Sequence, residues 1–236
     1  MIKKIQYIFD NAINNFTCHA LFSTITSKKL ENMKINCHTK QPEYSVSYQD
    51  RVITIIINEE DFGIVFDQQY FENNNFETLV FQNEGKNIVG KLWKNENYQN
   101  KSNYELNDYV KARGFISYAI NLSENLKKKN ICPIKPNGTF VNGTRQKTLD
   151  YLEDRLGIDL RNEQINQRDF RFEMISYKHF ELKNKILSKS NNQILSLHNV
   201  FSFEVEGFVK DLKINNLEIS SIGKKRTYGL GNIEIT

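Results

Sequence analysis

The 236-residue sequence contains few residues that constrain a chain, with three cysteines, three prolines and one tryptophan. The cysteines are odd in number, scattered and without a Cys-x-x-Cys pair, so neither a disulfide framework nor a typical zinc knuckle is indicated. The longest apolar run, Val52–Ile57, is interrupted by Thr54 and is far shorter than the about 20 residues of a membrane helix. Residues 1–10 lack a sustained secretory apolar core. These absences predict a cytoplasmic protein with free thiols and no membrane association.

Hydrophobic residues make up 39% of the chain, which is enough for the core of one large domain or two small ones and excludes a disordered protein. The net charge of +4 conceals an uneven distribution. Residues 42–110 carry 5 basic and 12 acidic side chains, whereas residues 111–148 carry 8 basic and 1 acidic. The second stretch is compatible with a surface that binds a polyanion, although a basic run is more often only a solvated surface.

Hydrophobic periodicity predicts an N-terminal domain over residues 1–109. Its predicted elements are a strand at 3–9, a helix at 14–30, a hairpin at 44–57, and strand pieces at 78–81 and 88–93. Asn14 and Asn15 are candidate caps of the helix because an Asn side chain can accept a hydrogen bond from a free amide of the first turn. The pattern leaves the element boundaries open between residues 60 and 100.

A second domain, predicted over residues 110–236, repeats the first in outline. Its predicted elements are a strand at 115–120, a helix at 144–156, strands at 170–182 and 194–209, a short helix at 212–219 and a last strand at 230–235. Gly157 is the predicted stop of the longer helix. The repeated order of strand, helix and paired strands predicts an α+β fold of two tandem ferredoxin-like halves, each a sheet with helices on one face.

The most distinctive segment is the glycine loop, residues 220–231, with the sequence SSIGKKRTYGLG. Gly223, Gly229 and Gly231 permit positive φ angles and close backbone approach, and residues 224–226 supply three cations. Exposed amides and cations in such a loop predict a cradle for phosphates, with a tight turn carrying solvated lysines as the alternative. The pattern of a nucleotide-binding P-loop, Gly-x4-Gly-Lys-Ser/Thr, is absent.

Four segments in order carry a family resemblance, namely FISYAIN at 115–121, GTRQKTLDYLEDRLG at 143–157, FEVEGFVKD at 203–211 and IGKKRTYGLG at 222–231. They are similar to the strand FRLRANP, the helix AxxxWLxRKL, the strand FEGxL and the glycine-rich ending of the RAMP proteins of CRISPR systems. Within that group the chain looks most like the CasE-type endoribonuclease that trims CRISPR precursor RNA for the type I-E Cascade complex. The arginines of FRLRANP are lacking here, so we expect RNA contacts to move to residues 127–129.

The family's catalytic histidine stands at the start of the first helix in the pattern Y-x-x-H. The matching segment here is NFTCHAL at 15–21, so the resemblance implies that His19 is catalytic and that Phe16 stands where the family has tyrosine. Imidazole titrates near neutrality, with an ordinary pKa of about 6.5, which suits proton transfer when a 2′-hydroxyl attacks RNA. We predict that Lys28 and Lys29, or the cations of the glycine loop, neutralise the charge that develops on the phosphate.

These features predict a metal-independent endoribonuclease that cuts CRISPR precursor RNA and leaves 5′-hydroxyl and 2′,3′-cyclic phosphate ends. No metal or other cofactor is expected. The resemblance implies a repeat RNA substrate, commonly a hairpin, and other Cascade-type subunits as partners. The predicted RNA-binding residues are Lys127, Lys128, Lys129, Lys135, Arg145, Lys147, Gly223, Lys224, Lys225, Arg226, Gly229 and Gly231.

Two other functions stay open on the sequence. A non-catalytic RAMP subunit that binds guide RNA predicts the same basic surfaces. A small-molecule enzyme with a basic patch predicts weak RNA affinity with little salt dependence.

Metal chemistry is disfavoured by spacing. The dipeptides Cys18-His19 and Cys37-His38 invite a zinc site, but neighbouring side chains point apart and nothing else completes a tetrahedral ligand set. His179 and His198 lie in predicted strands and are interpreted as structural. Four carboxylates suggest a metal-dependent nuclease, yet the adjacent arginines and lysines favour a solvated helix face. They are Asp150, Glu153, Asp154 and Asp159.

Overall fold

Two antiparallel sheets, one in each half of the chain, carry the fold. A computed structural model describes residues 1–30, 42–83, 86–121, 130–135, 139–160, 180–183, 194–197, 200–224 and 226–236. No helix among these residues is both long and apolar enough to cross a membrane.

The first half contains five strands, one long helix and two short ones. In chain order they are β1 (Ile2–Phe9), α1 (Asn15–Leu30), β2 (Tyr44–Gln49), β3 (Val52–Asn58), α2 (Glu59–Phe62), α3 (Gln68–Asn73), β4 (Thr78–Asn83) and β5 (Lys86–Asn97). The sheet order is β2-β3-β1-β5-β4. With β5 as the fourth strand, this is the order of a β-α-β-β-α-β unit, to which β4 is added at the edge.

The second half repeats that order. Its elements are β6 (Tyr109–Ser117), β7 (Ile120–Asn121), β8 (Asn130–Ile131), α4 (Arg145–Leu156), β9 (Ile158–Asp159), β10 (Phe180–Lys183), β11 (Ile194–Leu197), β12 (Val200–Val209) and β13 (Ile233–Ile235). The main sheet has the order β13-β6-β12-β9, which matches the first half strand for strand. The predicted architecture of two tandem ferredoxin-like halves is therefore confirmed.

Alternation along the strands decides which face of each sheet is buried. Ile5, Tyr7 and Phe9 of β1 are buried, and they pack with Leu21 and Ile25 of α1 in the first core. In the second half, Phe201 and Phe203 of β12 pack in the same way with Leu152 and Leu156 of α4. Each helix thus covers one face of its sheet, as the period-2 strand pattern and the period-3.6 helix pattern predict.

Capping residues set the ends of the two long helices. Asn14 Oδ1 accepts hydrogen bonds from the Thr17 amide at 3.0 Å and from the Thr17 hydroxyl at 3.2 Å, which fixes the start of α1. The helix α4 ends at Gly157, whose φ of 71° is the left-handed conformation that glycine adopts without strain. Both ends agree with the sequence predictions.

Several predicted boundaries are corrected. The strand predicted at 115–120 begins earlier, at Tyr109, and ends at Ser117. Residues 118–119 lie outside any strand and precede β7. The helix predicted at 212–219 is a 3₁₀ turn over Leu212–Asn216. The last strand begins at Ile233, because Gly231 bonds to the end of β6 outside the β-ladder.

Other predicted elements lie partly outside the described residues. Of the strand predicted at 170–182, residues 180–182 are described, and they belong to β10. The strand predicted at 194–209 corresponds to β11 and β12, and residues 198–199 between them lie outside the described residues. The division of the chain between residues 109 and 110 stays a prediction, with β6 beginning at Tyr109.

Candidate active site

His19 lies in the second turn of α1 and contacts the glycine loop. Its Nδ1 lies 2.9 Å from Oγ1 of Thr227. Its ring also stacks on that of Tyr228, with centroids 4.3 Å apart and the planes 9° from parallel. The fold thus brings together the two segments that the sequence analysis singled out, although they are separated by more than 200 residues.

Two polar side chains hold α1 against the loop. Asn15 is buried, and its Nδ2 donates to the carbonyl oxygen of Tyr228 at 2.6 Å. The hydroxyl of Tyr48 donates to Oδ1 of Asn15 at 3.3 Å. Because the carbonyl of Tyr228 is held from one side and its ring stacks on His19 from another, the position of the imidazole relative to the loop is defined.

The strand β2 forms the other wall of this junction. The amide of Ser221 donates to the carbonyl oxygen of Tyr44 at 3.3 Å, and Asn232 Nδ2 donates to that of Val46 at 2.6 Å. Gly229 packs against the Tyr48 ring so closely that an added Cβ would lie 3.1 Å from the ring carbon Cδ1. The glycine loop, which belongs to the second half, therefore packs against α1 and β2 of the first half.

The glycines of the loop serve close packing, and several loop amides donate to protein carbonyls. Ile222 N donates to Gly231 O at 2.8 Å, Lys224 N to Ser117 O at 2.8 Å, and Gly231 N to Phe115 O at 2.7 Å. The sequence predicts that exposed amides of the loop cradle a phosphate. In the structure these three amides instead bind the loop to itself and to β6, so they are not available to a phosphate.

The described cations of the loop differ in their surroundings. Lys224 is exposed. Arg226 places its guanidinium carbon 4.2 Å from the centroid of the Tyr44 ring and donates to the carbonyl oxygens of Ser221 at 3.4 Å and Pro42 at 3.5 Å. Arg226 therefore joins the loop to β2 in addition to carrying charge. Lys225 lies outside the described residues.

The other predicted cations are spread over the chain. Lys28 and Lys29 lie in the last part of α1, about 13–15 Å along the helix axis from His19. Lys135 is exposed beside Thr139, and Arg145 and Lys147 are exposed in the first turn of α4. Lys127, Lys128 and Lys129 lie outside the described residues. Their assignments stay predictions.

The carboxylates of α4 correct one expectation. Glu153 is buried, and its Oε1 lies 2.5 Å from Nζ of Lys210, so it does not belong to a solvated helix face. Asp154 is exposed and lies 3.6 Å from Nζ of Lys213. Within the part of the chain that the structure describes, no group of three His, Cys, Asp or Glu side chains is placed to hold a metal ion. Cys37, His38, His179 and His198 fall outside that part.

Four residues of the site were missed by the sequence analysis, namely Asn15 as a loop contact, Tyr48, Thr227 and Tyr228. The sequence shows that Thr227 and Tyr228 belong to the glycine loop. It does not show that they contact α1, because that contact depends on how the two halves pack. Burial raises the pKa of both the Tyr48 and the Tyr228 hydroxyl groups. Both phenols are therefore neutral near pH 7 and can donate hydrogen bonds.

The order of strands and helices defines a class of fold, the tandem ferredoxin-like α+β fold. Two structures of the CRISPR endoribonuclease Cse3 bound to a 19-nucleotide RNA are similar to this chain, each with a TM-score of 0.53 and 13% identity. These alignments cover 100% of this chain and 99% and 98% of those chains. Thermus thermophilus Cse3 bound to an RNA representing a pre-cleavage complex gives a TM-score of 0.51 at 12% identity, over 100% of this chain and 98% of that one.

No protein-family model matches the sequence, and no curated protein matches it. At 12–13% identity the structural likeness establishes the fold, which this chain shares with Cse3 over its whole length. The resemblance to a CasE-type RAMP protein that the sequence motifs indicate is confirmed at the level of the fold.

Proposed function

We propose that this protein is a metal-independent endoribonuclease that cleaves CRISPR precursor RNA within its repeats. The observation that carries the proposal is the contact of His19 with Thr227 and Tyr228, which sets a titratable imidazole against a loop bearing an exposed lysine. The shared fold adds support, because the Cse3 proteins with this fold are endoribonucleases bound to RNA.

The chemistry requires only groups that this site contains. The 2′-oxygen of RNA attacks the adjacent phosphorus, the bond from phosphorus to the 5′-oxygen breaks, and the products are a 2′,3′-cyclic phosphate and a 5′-hydroxyl. One proton leaves the 2′-hydroxyl and one joins the 5′-oxygen. His19 serves as the general base or acid for one of these transfers, while the hydrogen bond between Thr227 and Nδ1 orients the ring.

Cationic side chains neutralise the charge that grows on the phosphate oxygens in the transition state. Lys224 is our first candidate, because it is exposed and three residues from Thr227. Lys28 and Lys29 stay candidates of second rank, since they lie two to three turns beyond His19 on α1. The substrate is a CRISPR repeat, with a hairpin as the expected form, and the partners are other subunits of a Cascade-type complex in the cytoplasm.

A second candidate is a RAMP subunit that holds guide RNA without cutting it. One observation favours it: Phe16 offers no hydroxyl at the position where the family pattern has tyrosine. Under this function the imidazole of His19 would only join α1 to the loop.

Incubation of the protein with a repeat-containing transcript in EDTA, followed by end-group analysis, separates the two functions. We expect cleavage in EDTA with 5′-hydroxyl and cyclic phosphate ends in the wild type. His19→Ala should abolish cleavage, retain RNA affinity, and regain part of its activity with added imidazole. Lys224→Ala removes the first candidate cation, so it should weaken binding and slow cleavage at saturating RNA without abolishing it. Cleavage that needs a divalent metal, or that yields 5′-phosphates, contradicts the mechanism; RNA binding without cleavage supports the second candidate.

A further inference from the structure

A groove of about 690 Å³ runs between α4 and the glycine loop. Tyr118 and Tyr151 form one wall, and Gly223 and Lys224 form part of the other. Arg226 also lines the groove and is followed directly by Thr227, the partner of His19. The glycine loop therefore contributes neighbouring residues to the groove and to the candidate active site.

The two tyrosines form a stacked pair on the wall of the groove. Their ring centroids are 3.9 Å apart and the planes 15° from parallel. The Tyr151 hydroxyl accepts a backbone hydrogen bond from Gly223, so the inner ring is tied to the glycine loop. The guanidinium of Arg155 lies 5.6 Å from the centroid of the Tyr151 ring. Tyr118 follows the last residue of β6, Ser117, which binds the amide of Lys224.

The charges along the groove are not evenly distributed. At one end, Asp154 lies 3.8 Å from Arg155 and 3.6 Å from Lys213, so the cations there have an anionic partner. Lys224, Arg226 and Glu43 also line the groove. Lys224 is exposed, whereas the guanidinium of Arg226 lies on the Tyr44 ring. A phosphate is therefore favoured beside Lys224, on the wall of the groove that faces the two tyrosines.

We infer that this groove binds one unpaired nucleotide of the RNA, with its base stacked on Tyr118 and its phosphate beside Lys224. The inference rests on the proposed function and adds to it a requirement for an unpaired base in the bound RNA. Every base presents a flat face to an aromatic ring, so such a platform selects for single strand over duplex and not for a particular base. Stacking on one aromatic side chain changes affinity about 5- to 150-fold.

The test uses the full chain carrying His19→Ala, so that bound RNA stays intact, with two probes: an unstructured oligoadenylate and a blunt RNA duplex. Tyr118→Leu removes the ring and keeps an apolar side chain, while Tyr118→Phe keeps the ring and loses only the hydroxyl. We expect Tyr118→Leu to weaken oligoadenylate binding about 5- to 150-fold without affecting the duplex. Tyr118→Phe should bind both probes as the parent does.

Equal affinities of the Leu variant and the parent for oligoadenylate overturn the inference, and so does a loss that Tyr118→Phe shares. A second measurement needs no Tyr118 variant. Oligoadenylate containing 2-aminopurine should lose fluorescence on binding the parent protein, because stacking on the ring quenches it, and unchanged fluorescence contradicts the platform. If the parent binds neither these probes nor a repeat-containing transcript, the proposed function itself fails. If it binds both and the platform predictions fail, the proposed function stands without this groove.

Discussion

Oγ1 of Thr227 lies 2.9 Å from Nδ1 of His19, although the two residues are 208 positions apart in the chain. Thr227 belongs to the glycine loop of the second half and His19 to the first helix of the first half. The hydrogen bond, together with the stacking of His19 on Tyr228, makes the orientation of the imidazole depend on how the two halves dock.

Replacing Thr227 tests whether that bond positions the imidazole. Thr227→Val removes the hydroxyl and keeps the shape, and we expect cleavage at saturating RNA to fall about 10- to 100-fold, because a misoriented general acid or base loses much of its effect. Thr227→Ser is the matched control and should retain activity. Single-turnover cleavage measured against pH distinguishes positioning from folding: the valine variant should alter the pH profile at unchanged RNA affinity. An unaltered rate contradicts the role given to Thr227.

The glycine loop should tolerate a side chain poorly at Gly231. A Cβ there would overlap the carbonyl oxygen of Ile222, and the φ of 85° is unfavourable for other residues. Gly143 has a similar φ of 76° with nothing within 4 Å of an added Cβ, so Gly143→Ala measures the backbone strain alone, about 1–2 kcal/mol. We expect Gly231→Ala to cost about 1–3 kcal/mol more in urea unfolding. Equal costs would mean that the loop relaxes around the new methyl group.

Lys224 and Arg226 should differ in what their removal changes. Lys224→Ala should lower the salt dependence of RNA binding by about one phosphate contact while the free energy of unfolding changes by less than about 0.5 kcal/mol. Arg226→Ala also removes the contact with the Tyr44 ring and two carbonyl hydrogen bonds, so it should destabilise the protein by about 1–2 kcal/mol. Salt titrations of affinity and urea unfolding of both variants provide the comparison, and identical behaviour in both assays contradicts it.

Hydrophobic periodicity was sufficient to predict most of the fold. The alternation of Ile5, Tyr7 and Phe9 and the stop at Gly157 depend on local sequence, and both predictions agree with the structure. The break after Ser117 was not predictable in this way, because residues 118–119 continue the apolar pattern of the strand. At this point the chain makes a tertiary contact that the local pattern does not contain, since the carbonyl oxygen of Ser117 accepts the amide of Lys224 from the glycine loop.

The candidate site shows the same division. The glycines and cations of the loop pointed to it directly and a family pattern pointed to His19, but Asn15 was considered only as a helix cap. In the structure its side chain binds the carbonyl of Tyr228, and Asn14 supplies the cap. Glu153 was wrongly placed on a solvated helix face, because helical spacing does not reveal its partner Lys210, the residue that follows β12. Contacts between segments distant in the chain were the part that periodicity could not supply.

The thiol of Cys18, next to His19, should be unreactive in the folded protein. Cys18 is fully buried, and this burial raises the pKa of its thiol, so it does not form the thiolate that reacts. In a Cys37→Ser, Cys132→Ser background we expect labelling at pH about 8 to be at least about 1,000-fold slower than for free cysteine, because the site must open first. Urea should restore the rate. Fast labelling without denaturant contradicts the packing of α1. In protein that carries only Cys37→Ser, the half-buried Cys132 is the comparison thiol and should react before Cys18.

Asp211 provides a pH-dependent test of the turn that follows β12. Its Oδ1 accepts from the amide of Lys213 at 3.0 Å, and this bond, followed by those of the Lys213 side chain, lowers the pKa of Asp211. The stabilisation that the ionised Asp211 carboxylate gives the folded protein is therefore complete above the unfolded pKa of about 3.9. It is lost as the pH falls through the lower pKa of the folded state. Asp211→Ala should cost about 0.5–2 kcal/mol at neutral pH and progressively less below about pH 4. Asp211→Asn retains an acceptor oxygen without the charge, so its smaller cost should not vary with pH in the same range. Urea midpoints of the three proteins across that range measure both effects, and an alanine penalty that stays constant down to the lowest pH contradicts the assignment of the cap to the ionised carboxylate.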